Sequence, residues 1–268
     1  RSRTGKMMTP KLGMLSALVD CYLHGARRDL YLVPVSVHYG RIVEEEAYGH
    51  ELRGGAKESE SFGALLRARK FLQQRFGTVY LSFGDPISLK DSLDDQKQRF
   101  AEGSGVPEIE EEKRRFVQKL GFGILRAVNE AAVAGATSIS ATVMLGASYS
   151  GKRYRDYAAQ ANALAELAVF SKVRPTASLE RNLGDFRESL AFLSSNSLID
   201  VVTQGPDEVL VVPEGKRLAL DFYKNNLIHV FLLPSLVTSA LLAGTDKDSL
   251  EEEVWWWLDL FRYEFPLP

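Results

Sequence analysis

The stretch that decides the fold class is residues 30–39, which read Leu-Tyr-Leu-Val-Pro-Val-Ser-Val-His-Tyr. Its β-branched and aromatic residues predict a buried β-strand. Pro34 lacks the N–H that a ladder needs, so the strand requires an edge, a bulge or a functional reason there. Residues 62–76 then have the pattern of a basic amphipathic helix, and residues 78–83 that of a second strand. Strand, helix and strand in this order indicate half of an α/β sheet domain.

The remainder of the chain has the patterns of helices and one hairpin. Pro10 is placed to open a first helix that runs to about residue 26. Further helices are predicted over residues 111–134, 154–170, 183–196, 216–229, 235–242 and 249–260. Two short apolar runs, residues 198–202 and 209–212, flank Gln-Gly-Pro-Asp and predict a small β-hairpin. We therefore expect an α/β chain in which residues 1–100 belong to the sheet domain and residues 108–268 form a mostly helical, winged-helix-like region.

The charge of the chain excludes one broad class of function. Its 33 Lys and Arg against 35 Asp and Glu give a net charge of −2 and a pI of about 6.2, unlike a globally basic nucleic-acid binder. The first 41 residues nevertheless hold seven basic and two acidic residues, a net of +5, which favours an anionic small ligand. The single cysteine, Cys21, excludes a multi-cysteine zinc site, and we expect neither a metal nor another cofactor.

The first six residues form the most distinctive polar cluster of the chain. They are Arg1, Ser2, Arg3, Thr4, Gly5 and Lys6. Guanidinium groups pair bidentately with phosphate oxygens, and glycine lets the backbone approach a ligand closely. The cluster is therefore a candidate phosphate cradle, although it lacks the spacing of a P-loop. The alternative is a frayed, solvated basic terminus.

The most apolar stretch, residues 227–243, is the candidate for membrane contact. It falls short of the ~20 uninterrupted apolar residues that span a bilayer, and Pro234 is expected to break it into two helices. We favour a helix pair packed in the core over an interfacial helix. The run Trp255-Trp256-Trp257 is typical of packing together with an interface, although tryptophan also suits a lipid headgroup zone.

Several of these motifs together resemble the glycerol-3-phosphate acyltransferase family. Residues 1–6, followed by Pro-Lys-x-Gly at residues 10–13, resemble the end of the family's third motif. Residues 33–41 resemble its fourth motif, with Gly40 where an acid is usual and His38 where a small residue is common. Tyr-Lys-Asn-Asn at residues 223–226 and Pro-Ser-Leu-Val at residues 234–237 look like the C-terminal region that this family shares with the dihydroxyacetone-phosphate acyltransferases.

The resemblance implies an enzyme that transfers a fatty acyl group from acyl-CoA or acyl carrier protein to glycerol 3-phosphate, the first step of phospholipid biosynthesis. The substrate-binding roles it implies fall on a small set of residues. In decreasing strength these are Arg1, Arg3 and Lys6 for the phosphate, Ser2 and Thr4 as weaker candidates, and Pro34 for shaping the pocket. The family's catalytic His-x4-Asp pair precedes these motifs. The chain begins with arginine, and we interpret it as an internal piece of a longer protein, inactive alone.

We interpret the histidines of this chain as structural residues rather than as catalytic bases. His24 and Asp29 have the His-x4-Asp spacing, but they lie between the third and fourth motifs, in the wrong order for the family's pair. We therefore interpret them as a chance match at a helix-to-strand turn. His38 is interpreted as a core strand histidine, His50 as exposed and His229 as part of a helix core.

Three other functions compete with this interpretation. The nearest is the same chemistry on dihydroxyacetone phosphate, which also presents one phosphate and one primary hydroxyl. The second is a non-catalytic helical interaction module in residues 111–268, and the third is a pseudoenzyme that has lost its upstream pair. For the lead interpretation we expect glycerol 3-phosphate and an acyl donor as partners, and no nucleic acid. We expect the parent protein to associate peripherally with the cytoplasmic face of a membrane.

Overall fold

The computed structural model describes residues 2, 4–25, 28–40, 78–146, 151–205, 207–262 and 264–265. The described helices, in chain order, are α1 (Gly13–Leu23), α2 (Leu89–Leu93), α3 (Gln96–Glu102), α4 (Pro107–Glu130), α5 (Ala136–Leu145), α6 (Tyr154–Phe170), α7 (Ala177–Asn182), α8 (Arg187–Ser195), α9 (Arg217–Asn225), α10 (Ile228–Ala243) and α11 (Leu250–Phe261). The described strands are β1 (Tyr31–Leu32), β2 (Val35–Tyr39), β3 (Val79–Phe83), β4 (Ile87–Ser88), β5 (Val133–Ala134), β6 (Lys152–Arg153), β7 (Arg174–Pro175), β8 (Asp200–Gln204) and β9 (Asp207–Val211).

These elements form four small sheets. β1 pairs with β4 and β8 with β9, both antiparallel, while β5 and β7 are parallel. β6 joins the far side of β9 to make a three-stranded sheet, and β2 pairs with β3. The expected α/β class with a mostly helical C-terminal region and a small hairpin is therefore confirmed.

The chain divides into two compact units. The first unit contains Arg1–Lys6, Val37–Tyr80 and Val133–Phe231, and the second contains Met7–Ser36, Leu81–Ala132 and Leu232–Pro268. The proposed limits of 1–100 and 108–268, and the winged-helix comparison, stay predictions.

The first unit is built around α5, a helix with almost no exposed surface. Eight of its ten residues are buried, because small side chains let α6, α8 and α9 pack around it. Tyr157, Phe186 and Tyr223 are fully buried in the same core. Within it, the Ser140 hydroxyl lies 2.7 Å from the Tyr157 hydroxyl and 2.8 Å from that of Ser189, so these buried polar groups satisfy one another.

The second unit has a separate core, in which α1 packs against α3 and α4. Val19, Tyr22, Leu89 and Phe100 are among its buried residues. Gly121 permits the close approach, because a Cβ there would lie 2.7 Å from Leu12 Cδ2.

The predicted strand over residues 30–39 is present as two strands, β1 and β2, with Pro34 between them. The sequence called for an edge, a bulge or a functional reason at Pro34, whereas the structure interrupts the strand there, and the two strands pair with different partners. The expectation of a fully buried strand was wrong. Ser36 and His38 are buried, whereas Val35 is 37% and Tyr39 40% exposed. β2 lies in a sheet of two described strands, in which alternate side chains of β2 stay partly exposed. A continuous apolar run in the sequence does not predict such alternation.

Most predicted helices exist, with shifted ends. The helix over 154–170 is confirmed, and the first helix begins at Gly13 rather than Pro10. α4 starts four residues earlier than predicted because Pro107 occupies its first turn, a position that suits proline. α8 starts late because Phe186 is left-handed, with φ of 56°. The predicted helix over 62–76, the polar segment before it and His50 lie outside the described residues.

The prediction that Pro234 breaks the apolar stretch was wrong. α10 runs through Pro234, and the preceding helix α9 ends at Asn225, so the interruption lies at residues 226–227. Proline removes one backbone hydrogen bond from a helix interior, and burial of Phe231, Leu236 and Ala240 along α10 compensates for it. No single described helix is long and apolar enough to cross a membrane. Only α9 and α10 together reach that length and composition, and they are bent by 86°.

Candidate functional site

The described residues of the amino-terminal cluster, Ser2 and Thr4–Lys6, form a tight turn. The Ser2 amide donates to the Lys6 carbonyl at 2.7 Å, and the Gly5 amide donates to the Ser2 carbonyl at 2.9 Å. The hydroxyls of Ser2 and Thr4 lie 2.8 Å apart, and Lys6 is exposed. These hydrogen bonds hold the described residues of the cluster in a turn.

This turn rests on the end of α9, far away in the sequence. Gly5 has a φ of 78°, and a Cβ at this position would lie 2.5 Å from the Phe222 carbonyl oxygen. Asn225 Nδ2 donates to the Thr4 carbonyl at 2.7 Å, and Asn225 is only 8% exposed. Two segments that carry the family resemblance, residues 1–6 and 223–226, are thus brought together.

The core of the first unit holds α9 in place beneath the turn. Leu220 and Tyr223 are fully buried, and Arg217 donates to the Leu145 carbonyl at 3.0 Å, at the end of α5. A cation at the C-terminal end of a helix is favoured by the helix dipole. The backbone that supports the turn is therefore fixed by packing at its inner face and by this contact at its start.

The end of α9 adds polar groups beside the turn. The Lys224 ammonium lies 2.5 Å from the Asp221 carboxylate, so its charge is balanced within the helix. Asn226 is 5% exposed, and its Nδ2 has no hydrogen-bond partner among the described residues. A buried donor of this kind is costly unless something accepts from it. The family resemblance includes this segment, but the sequence alone assigns it no role.

The other predicted binding residues are not all part of this turn. Arg1 and Arg3 lie outside the described residues. Pro34 belongs to the second unit, where its carbonyl accepts from the Gly84 amide at 2.9 Å. The structure therefore brings together Ser2, Thr4 and Lys6.

The His24 and Asp29 side chains have separate partners. His24 Nδ1 lies 2.7 Å from the Asp20 carbonyl oxygen, one turn back along α1. The Asp29 carboxylate accepts from the amides of Leu30 and Lys90 and from the Ser88 hydroxyl, at 2.6, 3.0 and 2.8 Å. Asp29 therefore fastens the start of β1 to the start of α2, a structural role.

The remaining described histidines also occupy structural positions. His38 is 5% exposed, and its ring centroid lies 6.0 Å from that of Tyr80. A Cβ on Gly135 would lie 2.1 Å from His38 Nε2, so glycine makes room for the imidazole. His229 is half-buried on α10. No cluster of three or more His, Cys, Asp or Glu that could hold a metal occurs among the described residues.

A cavity of about 130 Å³ also lies within the first unit. Tyr80, Thr137 and Ser189 contribute hydroxyls to its lining, and Arg181 and Glu188 contribute charges. Arg181 Nη2 lies 3.0 Å from the Glu188 carboxylate, and this hydrogen bond lowers the pKa of Glu188. Because the two charges balance each other, the cavity lacks the net positive charge expected of a phosphate site.

Comparison with known proteins places the chain in a family. Residues 48–268 match the model of the glycerol-3-phosphate acyltransferase C-terminal region. A glycerol-3-phosphate acyltransferase of Pseudomonas putida is 31% identical over 247 residues, 91% of this chain and 30% of the relative. That of Pseudomonas aeruginosa is 32% identical over 241 residues, 89% of this chain and 28% of the relative. The chain belongs to the glycerol-3-phosphate acyltransferase family, and it spans about 30% of the length of these relatives.

Proposed function

We propose that the protein containing this chain is a glycerol-3-phosphate 1-O-acyltransferase. The observation that carries the proposal is the turn of residues 2–6, which is anchored on α9 and carries two hydroxyls and an exposed ammonium. The relatives named glycerol-3-phosphate acyltransferase support the same reaction. The acyl donor is a thioester of coenzyme A or acyl carrier protein, and the proposed reaction requires no metal or other cofactor.

In this proposal the turn binds the phosphate of the acceptor. Lys6 supplies a cation, Ser2 and Thr4 supply hydroxyl donors, and Arg1 and Arg3 complete the charge. Guanidinium and ammonium groups are the usual protein partners of phosphate oxygens. Pro34 is proposed to shape the substrate pocket through the family resemblance.

Anchoring the phosphate orients the primary hydroxyl toward the thioester. Orientation of this kind supplies several kcal/mol of the barrier, since two reactants then meet in one geometry. The family resemblance assigns the proton transfer to an upstream His-x4-Asp pair, with the histidine as general base. The hydroxyl oxygen attacks the thioester carbonyl, the C–O bond forms, the C–S bond breaks, and the thiol leaves with a proton.

An acylation assay of the full-length parent tests this function. With an acyl thioester and glycerol 3-phosphate, we expect 1-acylglycerol 3-phosphate by mass spectrometry, and we expect the 268-residue chain alone to form none. A parent that acylates only dihydroxyacetone phosphate, or neither acceptor, would contradict the proposal. Acyl transfer by the chain alone would contradict the assignment of the proton transfer to an upstream pair.

We also propose that the parent protein associates peripherally with the cytoplasmic face of a membrane. The support is a set of exposed apolar side chains on α11, where Trp255 and Trp256 are each 61% and Leu260 56% exposed. Tryptophan is favoured at the level of lipid headgroups. Vesicle flotation of the parent should weaken in the Trp255→Ala/Trp256→Ala variant and persist in Phe170→Ala. Equal flotation of both variants would exclude α11 as the contact.

A further inference from the structure

The second unit contains a groove of about 690 Å³ with an apolar floor. Ile87, Phe100, Phe116 and Leu120 line that floor. Its volume lies within the ~300–1,000 Å³ that is typical of sites for small organic ligands. Phe116 and Leu120 are one helical turn apart on α4, so these two apolar side chains are neighbours along the groove.

A glycine of α4 also lines the groove. Glycine is disfavoured in a helix interior, so each one there needs a reason. Gly121 has such a reason, since a Cβ would lie 2.7 Å from Leu12. Gly123 lines the groove, and a Cβ there would meet no atom within 4 Å. A side chain at residue 123 would therefore enter open space along the groove.

The rim of the groove is cationic. Arg99, Arg115 and Lys119 line it, together with a single acid, Glu112. Arg99 pairs with Glu112 at 2.7 Å, and Arg115 lies 3.3 Å from Glu111. Lys119 makes no ion pair within the part of the chain that the structure describes. The rim thus keeps positive charge beside an apolar floor.

We propose that this groove binds one lysophosphatidate-type molecule, a single fatty acyl chain on a glycerol that carries a phosphate. The chain lies against the apolar floor, and the phosphate meets Lys119, the rim cation that Glu111 and Glu112 do not pair with. Apolar burial holds the chain, while the cations select an anionic headgroup over a neutral one. The proposal goes beyond the proposed function, since no groove residue takes part in the roles assigned above. The product of the proposed reaction has this chemistry, but direct binding tests the groove without any activity measurement.

Titration calorimetry of the 268-residue chain tests the proposal. The probe is 1-oleoylglycerol 3-phosphate below its critical micelle concentration, and oleate and glycerol 3-phosphate are the comparison ligands. We expect saturable one-site binding of the probe, at least tenfold weaker binding of oleate, and none of glycerol 3-phosphate. Binding only at micelle-forming concentrations, or equal binding of oleate, would overturn the proposal.

Two variants and their matched controls locate the site. Gly123→Leu fills the groove with a residue that favours helix, so binding should fall at least tenfold, while Gly13→Leu, at an open position on α1, should bind as the wild type does. Lys119→Gln should weaken probe binding three- to tenfold and leave oleate unchanged, while Arg126→Gln on the same helix should change neither. Circular dichroism verifies folding of each variant. Wild-type affinity in both Gly123→Leu and Lys119→Gln would overturn the proposal.

Discussion

At the scale of single residues, Asn225 joins segments that are 221 positions apart. Its side-chain amide donates to the carbonyl of Thr4, a half-buried residue beside α9. The contact could not be predicted from the sequence, because a hydrogen bond between distant segments has no characteristic spacing. Residues 1–6 and 223–226 both carry the family resemblance in the sequence. The structure shows that the two segments are in contact.

Replacing Asn225 should loosen the turn. Asn225→Ala removes the donor to Thr4, so we expect about 1–2 kcal/mol lower free energy of unfolding. In the full-length parent, the KM for glycerol 3-phosphate should rise more than the KM for the acyl donor, because Asn225 is a positioning residue for the phosphate-binding turn. Denaturant unfolding and steady-state kinetics measure these effects. Asn196→Ala, which loses a similar 2.7 Å bond to the Phe192 carbonyl, is the control. An equal KM change in both variants would refute the positioning role.

Gly5 tests the close packing of the turn on α9. Gly5→Ala imposes both a left-handed backbone and a clash with the Phe222 carbonyl, whereas Gly25→Ala, with a nearly equal φ of 77° and open space, imposes only the former. We expect about 1 kcal/mol of destabilisation at Gly25 and a clearly larger loss at Gly5. Thermal unfolding of the two variants measures the difference. Equal losses would mean that the turn moves away from α9 without cost.

At the scale of elements, regular helices were predictable and interruptions were not. α6 was predicted correctly because its apolar periodicity extends over its whole length. α2, α3 and α7 were missed, since one or two turns are too short for a periodic pattern. The starts of α2 and α7 depend on single capping side chains, as where the Ser88 hydroxyl accepts from the Asp91 amide at 3.0 Å. Pro234 was misjudged because burial of α10 outweighs the cost of one proline.

The junction between β1 and α2 should respond to pH through Asp29. Desolvation raises the pKa of Asp29, but hydrogen bonds from the Lys90 amide, the Ser88 hydroxyl and the Leu30 amide outweigh it and hold the pKa below its usual value. A lowered carboxyl pKa stabilises the fold above the unfolded-state pKa of ~4, and this stabilisation is lost as the pH falls through the lower folded-state value.

Asp29→Asn should therefore destabilise the chain at neutral pH, and the difference from the wild type should shrink in acid. Urea unfolding at pH 7 and at pH values down to ~3 measures this difference, across the range in which an ordinary carboxyl titrates. Asp85→Asn, which removes an exposed carboxyl in the same unit, is the control. A difference between wild type and Asp29→Asn that stays constant over this range would contradict the account of Asp29.

At the scale of the whole molecule, the chain interleaves its two units. Arg1–Lys6 belongs to the first unit, the following segment to the second, and α9 to the first again. Composition and periodicity place elements along the chain but do not say which distant segments meet, so the support of the turn by α9 could not be predicted. The α/β class and the residues of the turn could be predicted, since they depend on local pattern and on the family resemblance.

Steady-state kinetics of the full-length parent test the central claim most directly. We compare Lys6→Gln and Arg1→Gln/Arg3→Gln with Arg114→Gln, an exposed cation on α4 that has no role in the proposed site. The account predicts that the KM for glycerol 3-phosphate rises about tenfold or more, a loss of about 1.4 kcal/mol, in the first two variants alone, with the KM for the acyl donor unchanged. An unchanged KM for glycerol 3-phosphate in both variants would contradict the claim that this turn binds the acceptor's phosphate.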